Sequence, residues 1–498
     1  MKKTTFLIFL LIAFLAAGFA GRINFGSSAQ EPYQTRLNPG GGLGIVRHPG
    51  PMNMRLLRSG QLKELPAFDP ASQNPFQVDL RGLDVSAWDL SGRTKDLFYA
   101  AFDAQTTWPK TLPPGFDPGR IMALGKNPGF GIRALHSRGI TGQGVGLAII
   151  DQGLLVDHVE YKGGLRSYEE IHCADETSAM HGPAVASIAV GKTVGVAPGV
   201  DLYYIAETHG TAESGQFVFD FNYLAQSIDR ILEINKGLPD HRKIRVISIS
   251  VGWDPRQKGY AEITAAVERA KKEGIFVVSS SIFNTYDKKI YFHGLGRDPL
   301  ADPENYQSYG PGLWWINAFH AGRYKPTSIQ DALLVPMDSR CTASPTGNDD
   351  YVFYRQGGWS WSIPYLAGLY ALACQVKPDV TPEIFWAAAI KTGDSIDFPA
   401  QRAMPSEADL AKDIAKILDE RIALLKQRVK DSPLEKTMAA IYSQTTGKKI
   451  ETMSESDFRA WSAAGPAREE VLGSTKPQTL KSIVNPVRLI EALEKRPS

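Results

Sequence analysis

Cysteine is scarce in this chain of 498 residues, which carries only Cys173, Cys341 and Cys374. Three thiols are too few for a disulfide scaffold, and an odd number leaves at least one unpaired within a monomer. The same scarcity argues against a structural metal site built on cysteine. Neither sign of charge prevails. With 55 Lys and Arg against 53 Asp and Glu the formal charge is +2, which argues against a nucleic-acid partner. Internal repeats and long low-complexity runs are missing, and beyond residue 20 no stretch is long and apolar enough to span a bilayer. Hydrophobic residues at 43% and charged residues at 22% exclude disorder as the main state. The length suits roughly three domains, or one large domain with extensions.

Lys2 and Lys3 precede an apolar run from Phe6 to Ala20, and two small-x-small patterns follow, Gly18-Phe19-Ala20 and Ser27-Ser28-Ala29. This reads as a signal peptide within residues 1–29, cut after Ala20 or Ala29, with an uncleaved anchor as the other reading. The expected address is secreted or extracytoplasmic, with no membrane contact once the signal is removed. Residues 30–127 are rich in Pro, Gly and Asn and read as an irregular N-terminal extension. From about Pro128 apolar β-branched runs alternate with helical patterns, the signature of βα units around a parallel sheet. Val145–Ile150, Arg245–Ser250 and Ile275–Ser279 read as buried strands, and Tyr223–Ile234 and Ala261–Lys272 as amphipathic helices. After Thr392 the pattern changes to charged helices. Ser406-Glu-Ala-Asp409 reads as a capping box opening a helix striped by Leu410, Ile414, Leu418, Leu425 and Val429.

Three segments place a reactive side chain at a βα junction, where open α/β folds gather their ligands. Asp151 follows the Val145–Ile150 strand; taken alone it reads as a turn residue or cap. His181 heads a run of small residues, His181-Gly-Pro-Ala-Val-Ala-Ser-Ile-Ala189, and taken alone reads as structural. Ser360 leaves the Gly-rich turn Gly357-Gly-Trp-Ser and opens an apolar helix, where a lone serine is usually a cap.

Together these segments resemble the subtilase family of serine peptidases, in the family's order Asp, His, Ser, over roughly Ile132 to Thr392. Gly195-Val-Ala-Pro198, Val246–Gly252 and the Ser360…Pro364 spacing fit further family segments, and His158 stands where the family often has a histidine. The resemblance implies a subtilisin-like three-layer α/β fold, with a mainly parallel central sheet flanked by helices. It implies a secreted serine endopeptidase acting on polypeptides through an acyl-enzyme, with Ser360 as nucleophile, His181 as base and Asp151 orienting it. Ser250, Val251 and Gly252 are implied to pair with substrate. The short Val484-Asn485 segment opening a last helix then resembles the family's closing element, which makes about 394–480 a helical insertion into a catalytic domain of residues 128–498. A pro-segment, common in the family, is the second reading of residues 30–127.

The resemblance weakens at the second oxyanion donor. A gap-free alignment sets Ile282-Phe283 on the family's Gly-Asn pair, and Asn284 lies one residue late; one inserted residue would bring its amide to the site, and its other reading is a turn residue. Gln152 follows the acid, Pro183-Ala184 follows His181-Gly182, and Trp359 and Trp361 flank Ser360, as an aromatic wall or as packing. These departures keep open a catalytically silent protein of the same fold that binds peptides or a partner, and an esterase or amidase with the same triad. No acidic cluster has ligand spacing for calcium, so no metal and no cofactor are expected. Oligomeric state and substrate preference are not readable from the chain.

Overall fold

The computed structural model describes residues 33–69, 76–213, 216–313, 332–398 and 478–495. The expected signal peptide and nearly all of the expected 394–480 insertion with its capping box lie outside these residues. The chain divides into two units, and everything below concerns the one holding residues 1–314, 329–396 and 481–498.

Its centre is a six-stranded sheet in the order Gln34–Arg36, Leu165–Cys173, Asp201–Ala206, Gly146–Asp151, Ile244–Ile249, Phe276–Ser279. All neighbours run parallel except the first pair, which is antiparallel. The strands Asp201–Ala206 and Gly146–Asp151 are buried along their whole length because helices cover both faces. On one face Asn222–Gly237 and Tyr260–Lys272 bury Ile228, Ile231, Ile263 and Val267 against Ala148, Ile150, Ile205 and Ile247. Against the other face lie the histidine helix, His181–Val190, and the serine helix, Trp359–Val376. This is the three-layer arrangement expected. Gly368 lets those two helices cross closely, since a Cβ there would sit 2.8 Å from the Ala189 carbonyl oxygen.

The N-terminal extension is built into this unit. Its strands Val78–Asp79 and Ala100–Asp103 continue a second sheet whose other half is Arg340–Ala343 and Tyr351–Tyr354. A satellite core forms beneath, from Leu65, Val78, Leu80, Phe102, Phe116 and Ile121 closed by Phe353. Arg81, buried, donates to Asp79 at 2.8 and 2.7 Å and to the Tyr354 hydroxyl at 3.1 Å. Farther forward, Arg36 and Arg47 both reach the fully buried carboxylate of Glu170, and the Asn38 N–H donates to its neighbour Glu169 at 2.9 Å.

The last helix, Pro486–Glu494, is capped by Asn485, whose side chain accepts the Arg488 N–H at 3.0 Å and donates to Asp394 at 2.7 Å. Asp394 and Asn485, 91 residues apart in sequence, are therefore in direct contact, and Leu334 pairs with Ile483 in a third sheet. All three cysteines are buried free thiols. Among the described residues no helix is long and apolar enough to cross a membrane.

Candidate active site

Asp151 ends the strand Gly146–Asp151, which lies between two parallel neighbours, so its carboxylate emerges at the carboxyl end of the sheet's interior. It is 1% exposed. Its Oδ1 accepts the Gln152 N–H at 2.8 Å and faces His181 Nδ1 at 2.7 Å. An ionised carboxylate can only accept, so the imidazole carries its proton on Nδ1 and leaves Nε2 as the basic nitrogen. Asp151 Oδ2 is buried with no hydrogen-bond partner among the described residues.

His181 is the first residue of its helix, and the next residue has to be small. A Cβ on Gly182 would lie 2.5 Å from both the Gln152 carbonyl oxygen and the Tyr204 hydroxyl. Tyr204 donates to that carbonyl at 2.5 Å and so ties the turn after Asp151 to the adjacent strand. Pro183 falls in the first turn, where its missing N–H breaks no helical bond. The Gly153 N–H donates to Asp175 at 2.7 Å; burial pushes the Asp175 carboxyl up, against the pull of that donor, and the nearby Asp151 charge adds to the rise. His209, buried and paired with Glu207, goes the other way: burial opposes its charge, but the Glu207 carboxylate outweighs burial and raises its pKa. His158 accepts the Glu160 N–H at 3.2 Å and lies 2.9 Å from the Asp350 carbonyl oxygen; burial lowers its pKa, a structural role.

Ser360 is the second residue of the serine helix. Gly358 before it has φ of +121°, a conformation that favours glycine and turns the chain sharply into the helix. Pro364, four residues on, has no N–H to give to the Ser360 carbonyl. That carbonyl instead accepts the Ser250 hydroxyl at 3.2 Å, while Ser360 Oγ points at the Ser250 carbonyl oxygen at 3.4 Å. Among the described residues no hydrogen bond joins Ser360 to His181. The two lie in neighbouring structure: Trp361, directly after the serine, meets the His181 ring edge-on with centroids 5.5 Å apart. Trp361 is buried and packs equally on Tyr354 at 5.2 Å, and Trp359 faces Phe292 at 5.6 Å, so both rings are packing elements.

The residues expected to meet substrate divide. Ser250 and Gly252 are half-buried, but Val251 is buried and its carbonyl accepts the Ser280 N–H at 3.1 Å. Ser281 bonds both backbone groups of Trp253, at 2.8 and 3.0 Å. The expectation of an oxyanion donor finds a short helix, Ile282–Thr285, with Ile282 buried and the Phe283 ring against Tyr291 at 5.1 Å. Asn284 is exposed, and no described contact links its amide with Asp151, His181 or Ser360. The residue that sequence reasoning missed is Asp338, a buried carboxylate bonded to the turn that carries Ser360; only its acid type in an apolar run, Leu333–Asp338, signals it. Among the described residues no group of His, Cys, Asp and Glu has the arrangement of a metal site.

The profile of the subtilase family matches residues 142–401, the segment that contains all three reactive positions. The chain belongs to the subtilase family. Among curated relatives of this subtilase, a subtilisin-like protease 2 of Arthroderma benhamiae is 32% identical over 255 residues, which is 50% of this chain and 54% of that protein. Alkaline protease 1 of Aspergillus clavatus is 29% identical over 140 residues, 28% of this chain and 32% of that one. The chain spans about half the length, or less, of these relatives. Among solved structures the PatG macrocyclase domain overlaps 54% of this chain and 88% of its own, at 15% identity and a TM-score of 0.38.

Proposed function

We propose that this subtilase is an exported serine endopeptidase working through Ser360, His181 and Asp151. The observation that carries the reading is the 2.7 Å contact between a buried Asp151 and His181 Nδ1, beside the N-terminus of the helix that bears Ser360. A serine hydroxyl is a poor nucleophile until an imidazole accepts its proton. Rotation about the Ser360 Cα–Cβ bond takes its hydroxyl from the Ser250 carbonyl towards His181 Nε2. As Oγ bonds to the substrate carbonyl carbon, its proton passes to Nε2 and Asp151 stabilises the resulting imidazolium. His181 then returns that proton to the leaving amine as the peptide bond breaks, and water releases the acyl group by the same route reversed. The Ser360 backbone N–H, at a helix N-terminus, serves the developing oxyanion. A folded wild type that reacts with a fluorophosphonate probe, against an inert Ser360→Ala, is the expected result; failure of the folded wild type to react ends the proposal.

The second reading is a silent peptide-binding protein of the same fold. Exposed Asn284 and Phe283 on the aligned donor position favour it. It is supported by a peptide that binds wild type and Ser360→Ala equally and is never cut.

In this proposal residues 33–126 stay with the mature protein, in place of the removable pro-segment that the family resemblance suggests. Their support is the shared second sheet and the two arginines on Glu170. The exported chain is expected to start near residue 21 or 30; an N-terminus near residue 128 would overturn this.

A further inference from the structure

The turn that delivers Ser360 is short, running from Arg355 to Gly358 between the Tyr351–Tyr354 strand and the serine helix. It is held at its far end by Ser250, as described. At its near end the Gly357 N–H donates to Asp338 Oδ1 at 2.8 Å. The other oxygen of the same carboxylate, Oδ2, accepts the N–H of Leu313 at 2.7 Å from a separate loop. Asp338 is itself anchored, its own N–H on the Leu295 carbonyl at 3.1 Å, and it is 1% exposed. We propose that Asp338 is the positioning residue of the nucleophile turn, clamping Gly357 and Leu313 together so that Ser360 is held at a fixed place. The inference rests on the proposed peptidase reading only for its effect on rate.

The chemistry requires a short carboxylate here. Two N–H donors converge from different loops, and only a carboxylate offers two acceptors on one two-atom fork. Asparagine would keep one and turn an NH₂ against the other donor. Glutamate would be too long: a Cβ on Gly296 would already lie 2.9 Å from Oδ2, so the pocket is filled to that side by backbone. Gly357 is equally confined, since a Cβ there would lie 2.4 Å from the Met337 carbonyl oxygen. Arg355 is the nearby cation; its guanidinium donates to the Arg297 carbonyl at 3.1 Å and to the Ser339 hydroxyl at 3.2 Å and leaves the Asp338 oxygens to the two amides.

The test compares wild type, Asp338→Asn and Asp338→Ser, with Asp298→Asn as the control, because Asp298 is almost fully exposed and lies 3.6 Å from Arg355. Hydrogen exchange of the Gly357 and Leu313 amides reads the clamp without any need for activity. In wild type both should be protected like strand amides although they lie in loops; in a folded Asp338→Ser both should exchange about 100-fold faster, and in a folded Asp338→Asn at least the one facing the NH₂ should. Fluorophosphonate labelling of the same variants should slow at least tenfold, with peptide KM within about threefold, while Asp298→Asn matches wild type. Free exchange of these two amides in wild type would overturn the proposal whether or not a variant folds. So would a folded Asp338→Asn that labels at the wild-type rate. A wild type that never labels defeats the peptidase reading alone, and the exchange rates still decide the role of Asp338.

Discussion

The two sides of the candidate site are built on different terms. Beside His181 the polar groups meet: Gly182 admits the Gln152 carbonyl, Tyr204 closes that carbonyl, and Asp151 holds the ring. Asn284 is exposed, and beside it the Phe283 ring packs on Tyr291. The difference is one of burial. A carboxylate at 1% exposure costs several kcal/mol unless it is bonded, so the fold itself enforces the Asp151–His181 contact whether or not the protein turns over. An amide that faces water at rest carries no such penalty, and its position can be given to another residue without loss of stability. In the proposed site, then, the Asp151–His181 pair is anchored by folding, and the proposed oxyanion side is free of that constraint.

This contrast can be broken at either end. The largest effect is expected on the anchored side, where Asp151→Asn should leave the His181 ring in the wrong tautomer and cut fluorophosphonate reactivity by about 10⁴. Unchanged reactivity in a folded variant would remove Asp151 from the mechanism. Next, Phe283→Asn supplies an amide at the aligned donor position, and a gain of up to about 10² in peptide turnover is expected, since a single oxyanion donor is worth about that much. No gain would mean that this side is already complete. Stripping Glu170 of both arginines in Arg36→Ala/Arg47→Ala leaves a buried charge unpaired and should cost about 3 kcal/mol in denaturant unfolding, with labelling per folded molecule unaltered.

A smaller effect concerns pH. Burial pushes the Asp338 carboxyl up to about 6, against the pull of Arg355 and its two amide donors. A carboxyl raised above its unfolded value favours the folded state most when protonated, so its contribution is present below about pH 4 and is lost as pH rises to about 6. Asp338→Asn should flatten that segment of the stability curve; an unchanged curve would put the ionisation elsewhere. Smallest of all, Asn284→Ala should alter turnover by less than about twofold, and a loss of 10² or more would show that the amide swings inward with substrate.

Much of the central sheet was readable beforehand because its signals are local. Buried strands announce themselves as short apolar runs, and the expected Val145–Ile150 and Ile275–Ser279 appear as Gly146–Asp151 and Phe276–Ser279, with ends that differ by no more than a residue. The helix expected over Ala261–Lys272 begins at Tyr260. The extension was not readable, since Val78–Asp79 and Ala100–Asp103 are short and complete a sheet with strands more than two hundred residues away, which no periodicity in residues 30–127 reports. Asp338 was invisible for the same reason: its meaning comes from Gly357 and Leu313, and only the folded chain brings those two amides to one carboxylate.

The strand Gln34–Arg36 has a consequence for how molecules of this protein treat one another. It covers the Glu170–Cys173 end of the outer rim of Leu165–Cys173, next to residues 44–46, which bond Tyr168; that end would otherwise present free N–H and C=O groups to any passing chain. Three residues with an irregular register make a poor template for further pairing, so the rim ends there. A version shortened past Arg36 would bare only that end of the rim, and its monodispersity is expected to suffer before its fold does.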